Sequence, residues 1–253
     1  MQNKENILIT GSSSGIGEAV ARLYLQQGFN VGLCGRDQAK LRKACEGHTG
    51  AHPLSFDIAD ADAVRAAFSE FVNVHERVDR IILNAGTHAP TDGAAFSLQD
   101  YTRTMQVNYI GTLNCLAPAI EILRAQGHGQ LVLMGSVAGY KGLPGAGGYC
   151  ASKSAIMRLA ETLRVELRDF GIDVRLISPG FVKTPLTDLN EFSMPFLMEV
   201  DKAAERIVRG LRSRRFEIAF PRRFAWLLKF NAVLPARVYF WLARRMLRDD
   251  RAI

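Results

Sequence analysis

Short apolar runs alternate with amphipathic stretches along the first two-thirds of the chain. ILIT (7–10) reads as a buried strand. Ala19, Val20, Leu23 and Tyr24 then recur at helical spacing between Gly15 and Gly28. NVGLCG (30–35) is a second strand, and Asp37 before QAKL reads as a helix N-cap. Ala51–Phe56 and Arg80–Leu83 are further strands, separated by a helix over Asp60–His75. A single long helix is predicted over Leu98–Leu123, then a strand at Gln130–Met134. A helix over Tyr149–Phe170 closes on Gly171 at its C′ position. IDVRLIS (172–178) is another strand, ended by Pro179-Gly180, and FEIAF (216–220) reads as the last one.

Strands alternating with helices of this length predict βαβ units and a parallel sheet. Right-handed crossovers make that an α/β, single-domain, Rossmann-like doubly wound sheet with helices on both faces. Ligands bind beyond the carboxyl ends of the strands in such sheets. The apolar content of 48% is enough for a packed core and excludes general disorder. The opening MQNKENILITG is too polar for a signal peptide. The cysteines at 34, 45, 115 and 150 form no metal spacing. They read as reduced thiols in a cytoplasmic chain, Cys150 as a packed helix position.

Three segments carry candidate chemistry. The first is TGSSSGIG (Thr10–Gly17), between the first strand and the first helix. Gly11 permits a tight turn, Gly15 and Gly17 permit close backbone approach, and the helix N-terminus offers N–H groups to a pyrophosphate. The second is the end of the second strand, Gly35-Arg36, where an arginine suits a ribose 2′-phosphate and Ser13 can donate to the same group. The third is Tyr149 and Lys153, four residues apart in YCASK and thirteen residues after Ser136. That spacing puts phenol and ammonium on one helix face. A cation about 4 Å from the phenol, at an effective dielectric of about 20, contributes at most about 4 kcal/mol. Such a contribution would lower the tyrosine by about three pKa units.

These segments, in this order, resemble the short-chain dehydrogenase/reductase family of the classical type, from about Ile7 to Thr184. The resemblance implies an NADP(H)-dependent oxidoreductase, with NAD(H) as the other cofactor, interconverting a carbonyl and a secondary alcohol by hydride transfer. Tyr149 would be the acid/base and Lys153 would lower its pKa and bond the nicotinamide ribose. Ser136 would orient the carbonyl oxygen, and Asn108 in VNYIG would hold a water that links Lys153 to solvent. The implied cofactor site takes in Gly11, Ser13, Ser14, Gly15, Ile16, Gly17 and Arg36. Asp57 and Ile58 would flank adenine, and Asn84, Ala85 and Gly86 match the NAG motif. Leu83 precedes that motif where a second asparagine is common. Pro179, Gly180, Val182 and Thr184 would hold the carboxamide end of nicotinamide. The resemblance also implies a homodimer or homotetramer packed through the long helices.

GYKGLPGAGG (139–148) reads as a mobile loop beside the substrate. Asp188–Val200, with Phe192, Met194, Phe196, Leu197 and Met198, stands where the family has its substrate lid. Its apolar side chains either greet a hydrophobic, lipid-like substrate or pack over the sheet.

Charge separates the end of the chain from the rest. The whole is +7, residues 206–253 are +10, and the first 205 residues are −3. The chain is therefore read as a catalytic domain over 1–220 and a basic, aromatic, amphipathic extension over 221–253. Two helices are expected there, over 222–234 and from Pro235. In the second, Val238, Trp241, Leu242 and Met246 share a face opposite Arg237, Arg244 and Arg248. Lys229, Asn231, Pro235 and Arg237 interrupt the apolar run, which excludes a membrane-spanning helix. Two readings stand: the extension lies on an anionic membrane surface, at the inner face of a membrane, or it packs on the domain or a partner subunit. No nucleic-acid-reading motif accompanies the charge. A non-catalytic dinucleotide-binding scaffold working through the extension is the alternative to an enzyme, and the full Asn108, Ser136, Tyr149 and Lys153 set argues against it.

Overall fold

The computed structural model describes residues 4–189 and 194–250. Seven parallel strands form one sheet in the order β3-β2-β1-β4-β5-β6-β7. They are β1 (Asn6–Thr10), β2 (Asn30–Gly35), β3 (Ala51–Ser55), β4 (Arg80–Leu83), β5 (Gly129–Met134), β6 (Ile172–Pro179) and β7 (Glu217–Phe220). The helices between them are α1 (Gly15–Gln26), α2 (Gln38–Cys45), α3 (Ala61–His75), α4 (Leu98–Met105), α5 (Gly111–Gln126), α6 (Gly147–Glu166) and α7 (Val200–Leu211). Two more, α8 (Arg222–Val233) and α9 (Ala236–Asp250), follow β7.

Strand alternation sorts the core into two layers. Leu8, Ile81, Leu83, Leu131 and Leu133 pack against Phe68, Phe71, Leu116, Ala119 and Ile156 of α3, α5 and α6. Their neighbours Ile7, Ile9, Ile82, Val132 and Met134 point the other way, onto Val20, Tyr24, Ile207 and Leu211 of α1 and α7. A period of two in the strands thus meets helical stripes on both faces. Strand order reverses between β1 and β4, and their carboxyl ends open the crevice that doubly wound sheets use for ligands.

Local chemistry fixes the helix starts as expected. Asp37 accepts from Lys40 N at 3.0 Å, and Asp60 from Asp62 N and Ala63 N at 3.1 and 3.0 Å. Gly171 adopts φ +72° after a short 3₁₀ turn, Arg168–Phe170, that ends the α6 segment.

Two expectations need correction. The helix over Leu98–Leu123 is not continuous: a π turn at Gln106–Ile110 separates α4 from α5. The extra residue turns Asn108 inward, where its side chain finds polar partners in place of solvent. The second correction is α7, to which the sequence reading assigned no element. Its buried stripe of Ala203, Ala204, Ile207, Val208 and Leu211 is interrupted by Lys202, Glu205, Arg206 and Arg209 on the outer side.

The chain end packs on the body through one side of α8. Phe224, Ala225 and Leu228 form a small core with Val137, Tyr140, Phe181 and Ala219. Lys229 pairs with Glu217, which also accepts from Tyr140 and from Ser178 Oγ at 2.7 Å. Lys141 Nζ donates to Ala232 O at 3.3 Å, and the Tyr239 hydroxyl donates to Gly142 O. No helix among the described residues is long and apolar enough to cross a membrane.

One buried hydroxyl joins the glycine turn to the sheet. Ser12, fully buried, donates to Ile9 O at 2.9 Å and accepts from Cys34 N at 2.8 Å. Ser12→Ala strands the Cys34 N–H in an apolar layer and is expected to cost about 1–3 kcal/mol. Urea denaturation would register this as a lower midpoint with an unchanged slope. A midpoint equal to that of the parent would show that the turn does not depend on this bond.

Candidate active site

The turn after β1 and the turn after β4 meet backbone to backbone. Gly11 sits at φ +66°, and a Cβ there would lie 2.7 Å from Ala85 Cα. Asn84 holds the junction: its Nδ2 donates to Thr10 O and Gly11 O, each at 3.0 Å. Gly17 belongs to this junction and does not line the cleft; a Cβ there would lie 2.3 Å from Gly11 O and 2.4 Å from Asn84 Nδ2. Ser13, Ser14, Gly15 and Ile16 line the cleft with the N-terminus of α1 behind them. The Ser14 side chain makes no capping bond, whereas α2, α3 and α4 are capped by Asp37, Asp60 and Ser97. The first N–H groups of α1 therefore keep their donor capacity toward the cleft.

The cleft encloses about 430 Å³ and runs along the carboxyl edge of the sheet. At one end are Arg36, Asp57 and Ile58. The Arg36 side chain is 73% exposed and stands 3.7 Å from Asp57 Oδ2, a loose contact. Ser13 Oγ lies beside Gly35 at the same end, 3.0 Å from where a Cβ would be. Asp37 caps α2, and its carboxyl is held below the usual range chiefly by the Lys40 N–H.

Ser136, Tyr149 and Lys153 line the cleft, as do Asn84, Ala85 and Gly86, and a Cβ at Gly86 would lie 3.5 Å from Lys153 Nζ. Ser136 follows β5, and its oxygen accepts from Ala138 N at 3.2 Å. Tyr149 and Lys153 lie on the first turns of α6. Burial pushes the Tyr149 phenol above its ordinary value, and a hydrogen bond with Ser136 opposes that. Lys153 is almost wholly buried and its ammonium donates to Met134 O at 2.9 Å. Burial brings Lys153 down to about 8.

In this arrangement burial is the largest influence on the phenol. Nζ lies 5.7 Å from the Tyr149 ring centroid and is tied to a carbonyl, so desolvation governs both groups. Asn108 is 1% exposed, does not line the cleft, and its amide is engaged by the protein. Oδ1 accepts from Thr87 N at 2.7 Å, and Nδ2 donates to Thr87 O at 2.9 Å and Ser152 Oγ at 3.0 Å. Even its main-chain oxygen accepts from Thr112 Oγ1 at 2.6 Å. The side-chain amide staples the π turn to the β4 loop and to α6.

Pro179, Gly180, Val182 and Thr184 line the far end, together with Pro185, Leu186 and Thr187. Thr187 Oγ1 ties this segment by donating to Val182 O at 2.7 Å and accepting from Thr184 N at 3.0 Å. The expected lid divides. Met198 is core, bridged to Val182, whereas Phe196 and Leu197 are 53% and 45% exposed. Phe192 lies outside the described residues. The loop over 139–148 is bound to its surroundings by Gly147 N to Thr91 Oγ1 at 2.8 Å, and Cys150 Sγ accepts from Leu143 N at 3.4 Å. Burial pushes the Cys150 thiol up, in keeping with a packing position.

Some residues at or beside the cleft had no signal in the sequence. His88 meets the Tyr149 ring edge-on, centroids 4.9 Å apart at 73°. Arg103 and Val107 reach the cleft from α4 and the π turn. Only the break between α4 and α5 explains the position of Val107, and no local motif marks that break.

The family profile described as short chain dehydrogenase matches residues 5–192. The chain is 32% identical over 243 residues to an uncharacterized oxidoreductase of Myxococcus xanthus, covering 94% of this chain and 96% of that one. In fold it resembles a short-chain dehydrogenase/reductase of Burkholderia phymatum solved in complex with NAD, with a TM-score of 0.82, 23% identity and coverage of 90% and 92%. It also resembles ElxO with NADP bound, with a TM-score of 0.78, 24% identity and coverage of 86% and 98%. The ordered cleft and the extent of the profile match lead to one assignment: the chain belongs to the short-chain dehydrogenase family.

Proposed function

We propose that the protein is an NADP(H)-dependent oxidoreductase that interconverts a carbonyl and a secondary alcohol on a hydrophobic substrate. The observation that carries the reading is the meeting of the Tyr149 phenol, the Ser136 hydroxyl and the buried Lys153 ammonium in one cleft with the uncapped α1 N-terminus. The glycine cradle fits a dinucleotide, because a side chain at Gly11 would fill the space between the two turns. Similarity to proteins solved with NAD and with NADP agrees with a nicotinamide dinucleotide.

In this reading the N–H groups of Ser14, Gly15 and Ile16 face the pyrophosphate, and Asp57 and Ile58 flank adenine. Arg36 and Ser13 hold the 2′-phosphate, which favours NADP(H) over NAD(H). Asn84, Ala85, Gly86, Pro179, Gly180, Val182 and Thr184 shape the nicotinamide end. The bound cofactor supplies or accepts the hydride. Ser136 orients the carbonyl oxygen by hydrogen bonding, and Tyr149 gives that oxygen its proton. Tyr149 holds its proton at neutral pH, while burial on its own weakens the phenol as an acid. Lys153 supplies positive charge at the cleft, and Asn108 fixes the backbone around both. Exposed Phe196 and Leu197, beside the segment that lines the cleft, support an apolar substrate.

Tyr149→Phe is expected to leave NADPH affinity within a few-fold and to lower turnover about 10²–10⁴-fold in a screen of apolar aldehydes and ketones. Near-normal turnover of the variant would remove Tyr149 from the chemistry.

Arg36→Leu should weaken NADPH binding about ten- to hundred-fold, as loss of a charged hydrogen bond requires, and leave NADH little changed. Titration of both nucleotides by fluorescence reads this directly. A parent protein that binds NADH at least as tightly as NADPH would overturn the cofactor choice.

Lys153 carries a stability consequence. Its ammonium ionises at about 8 in the fold against an ordinary 10.5. Between these values the unfolded chain holds a proton that the folded chain lacks, so stability rises with pH there. Below about 8 the burial penalty is fully present. Lys153→Met should therefore be about 1–3 kcal/mol more stable than the parent at neutral pH, while being inactive. The gap should close as pH rises through that interval. Urea denaturation of both proteins at neutral and alkaline pH is the check; a parent at least as stable as the variant at neutral pH would contradict it.

A further inference from the structure

The packing of α8 uses only part of its apolar surface. Phe224, Ala225 and Leu228 face the body and are buried. Trp226 and Phe230, four apart, and Val233, one turn further, remain 72%, 62% and 78% exposed. Leu227, beside Trp226, is 51% exposed. In α9, Tyr239 and Ala243 face the loop near Gly142, while Phe240 and Trp241 are 60% and 54% exposed. A chain end whose purpose was to cover the domain would not hold six large apolar side chains in water.

Charge accompanies these side chains mostly with one sign. Residues 222–250, which form α8 and α9, contain seven cations and two acids, and among the described ion pairs Lys229 is engaged by Glu217. Arg222 and Arg223 stand one turn before Trp226 and are exposed. Arg237 and Arg244 lie three residues either side of Phe240 and Trp241, and Arg245 stacks on the Trp241 ring at 3.9 Å. Aromatic side chains between exposed arginines fit the boundary between lipid headgroups and acyl chains. The rings enter the boundary, and the guanidinium groups remain among anionic headgroups.

A second copy of the chain fits this face poorly. A two-fold interface sets a patch against itself. Here it would oppose arginines with arginines, and the hairpin's sequence offers only two acids, Asp249 and Asp250, at its very end.

We propose that the α8–α9 hairpin is a docking surface for an anionic lipid bilayer. The buried side of α8 connects to the cleft. Phe196, exposed, is 5.8 Å from Phe224 between ring centroids, and Met198, two residues on, bridges to cleft-lining Val182. The proposal does not depend on the reaction assigned above.

The chain has two tryptophans, Trp226 and Trp241, and both lie on this face, so intrinsic fluorescence reports on it alone. The full-length protein is mixed with phosphatidylcholine vesicles containing phosphatidylglycerol, and separately with vesicles of phosphatidylcholine alone. Expected are a blue-shifted emission and co-sedimentation with the anionic vesicles, both weakened by salt. Trp226→Ser combined with Phe230→Ser, and separately Arg222→Glu with Arg223→Glu, should each lower the sedimented fraction about ten-fold or more. Both pairs are exposed, so circular dichroism and NADPH binding should match the parent. The proposal is overturned by an unshifted emission with anionic vesicles. It is equally overturned by sedimentation that neither variant reduces, or by a concentration-dependent dimer that shields the tryptophans while vesicles do not bind.

Discussion

The sheet is covered on both faces, and the site depends on that constraint. Helices α3, α5 and α6 bury one side and α1 and α7 the other, so the strands have no free face for a ligand. What remains open is the carboxyl edge, where each strand hands its chain to a loop or helix. The order reverses between β1 and β4, and no helix crossover covers the gap there. Gly11 and Ala85 close the floor of that gap by a contact that tolerates no side chain at Gly11. The cleft, the α1 N-terminus and the end of β5 bearing Ser136 are consequences of strand order before they are features of any motif.

Within the cleft, burial sets the charge states. Lys153 and Tyr149 have opposite ionisation chemistry, yet desolvation moves each toward its neutral form, the lysine down and the phenol up. A direct Coulomb pairing would have moved both toward their charged forms. The difference lies in the Met134 carbonyl, which takes the ammonium as its hydrogen-bond partner.

The sequence revealed the fold because its buried strands are short, apolar and bounded by glycine, proline or a capping acid. Asp37, Asp60 and Gly171 are local signals that act locally, and each stands where the spacing put it. The cleft was legible for the same reason, since its residues stand in turns after strands. What escaped the reading depends on partners distant in sequence. The π turn at Asn108 exists because Thr87 and Ser152, 21 and 44 residues away, receive its amide. The 5.7 Å between Lys153 and the Tyr149 ring depends on Met134, which lies on a different element. Helix α7 was hidden for another reason: its charged outer side stands between a lid-like segment and a basic end, both of which draw the eye. His88 meets the Tyr149 ring, and no spacing rule encodes that contact.

The chain end and the site share structural supports. Phe224 of α8 lies under Gly180, where a Cβ would be 3.0 Å from its ring, and Gly180 lines the cleft. The same ring packs with Val137, the residue after Ser136. Glu217 binds Tyr140, Ser178 and Lys229, joining the loop that leads to Tyr149, the strand β6 and α8. Burial opposes ionisation of Glu217, but these bonds hold its carboxyl below the usual range. Tyr140 is pushed up by burial and by that carboxylate, so it stays a donor and the junction stays intact across neutral pH. The buried side of α8 is therefore part of the frame of the cleft, whereas Trp226, Phe230 and Val233 on its outer side touch none of these supports. A surface built this way leaves its outer side open to a partner, while its buried side holds β6 and the loop before Tyr149 through Glu217 and Phe224.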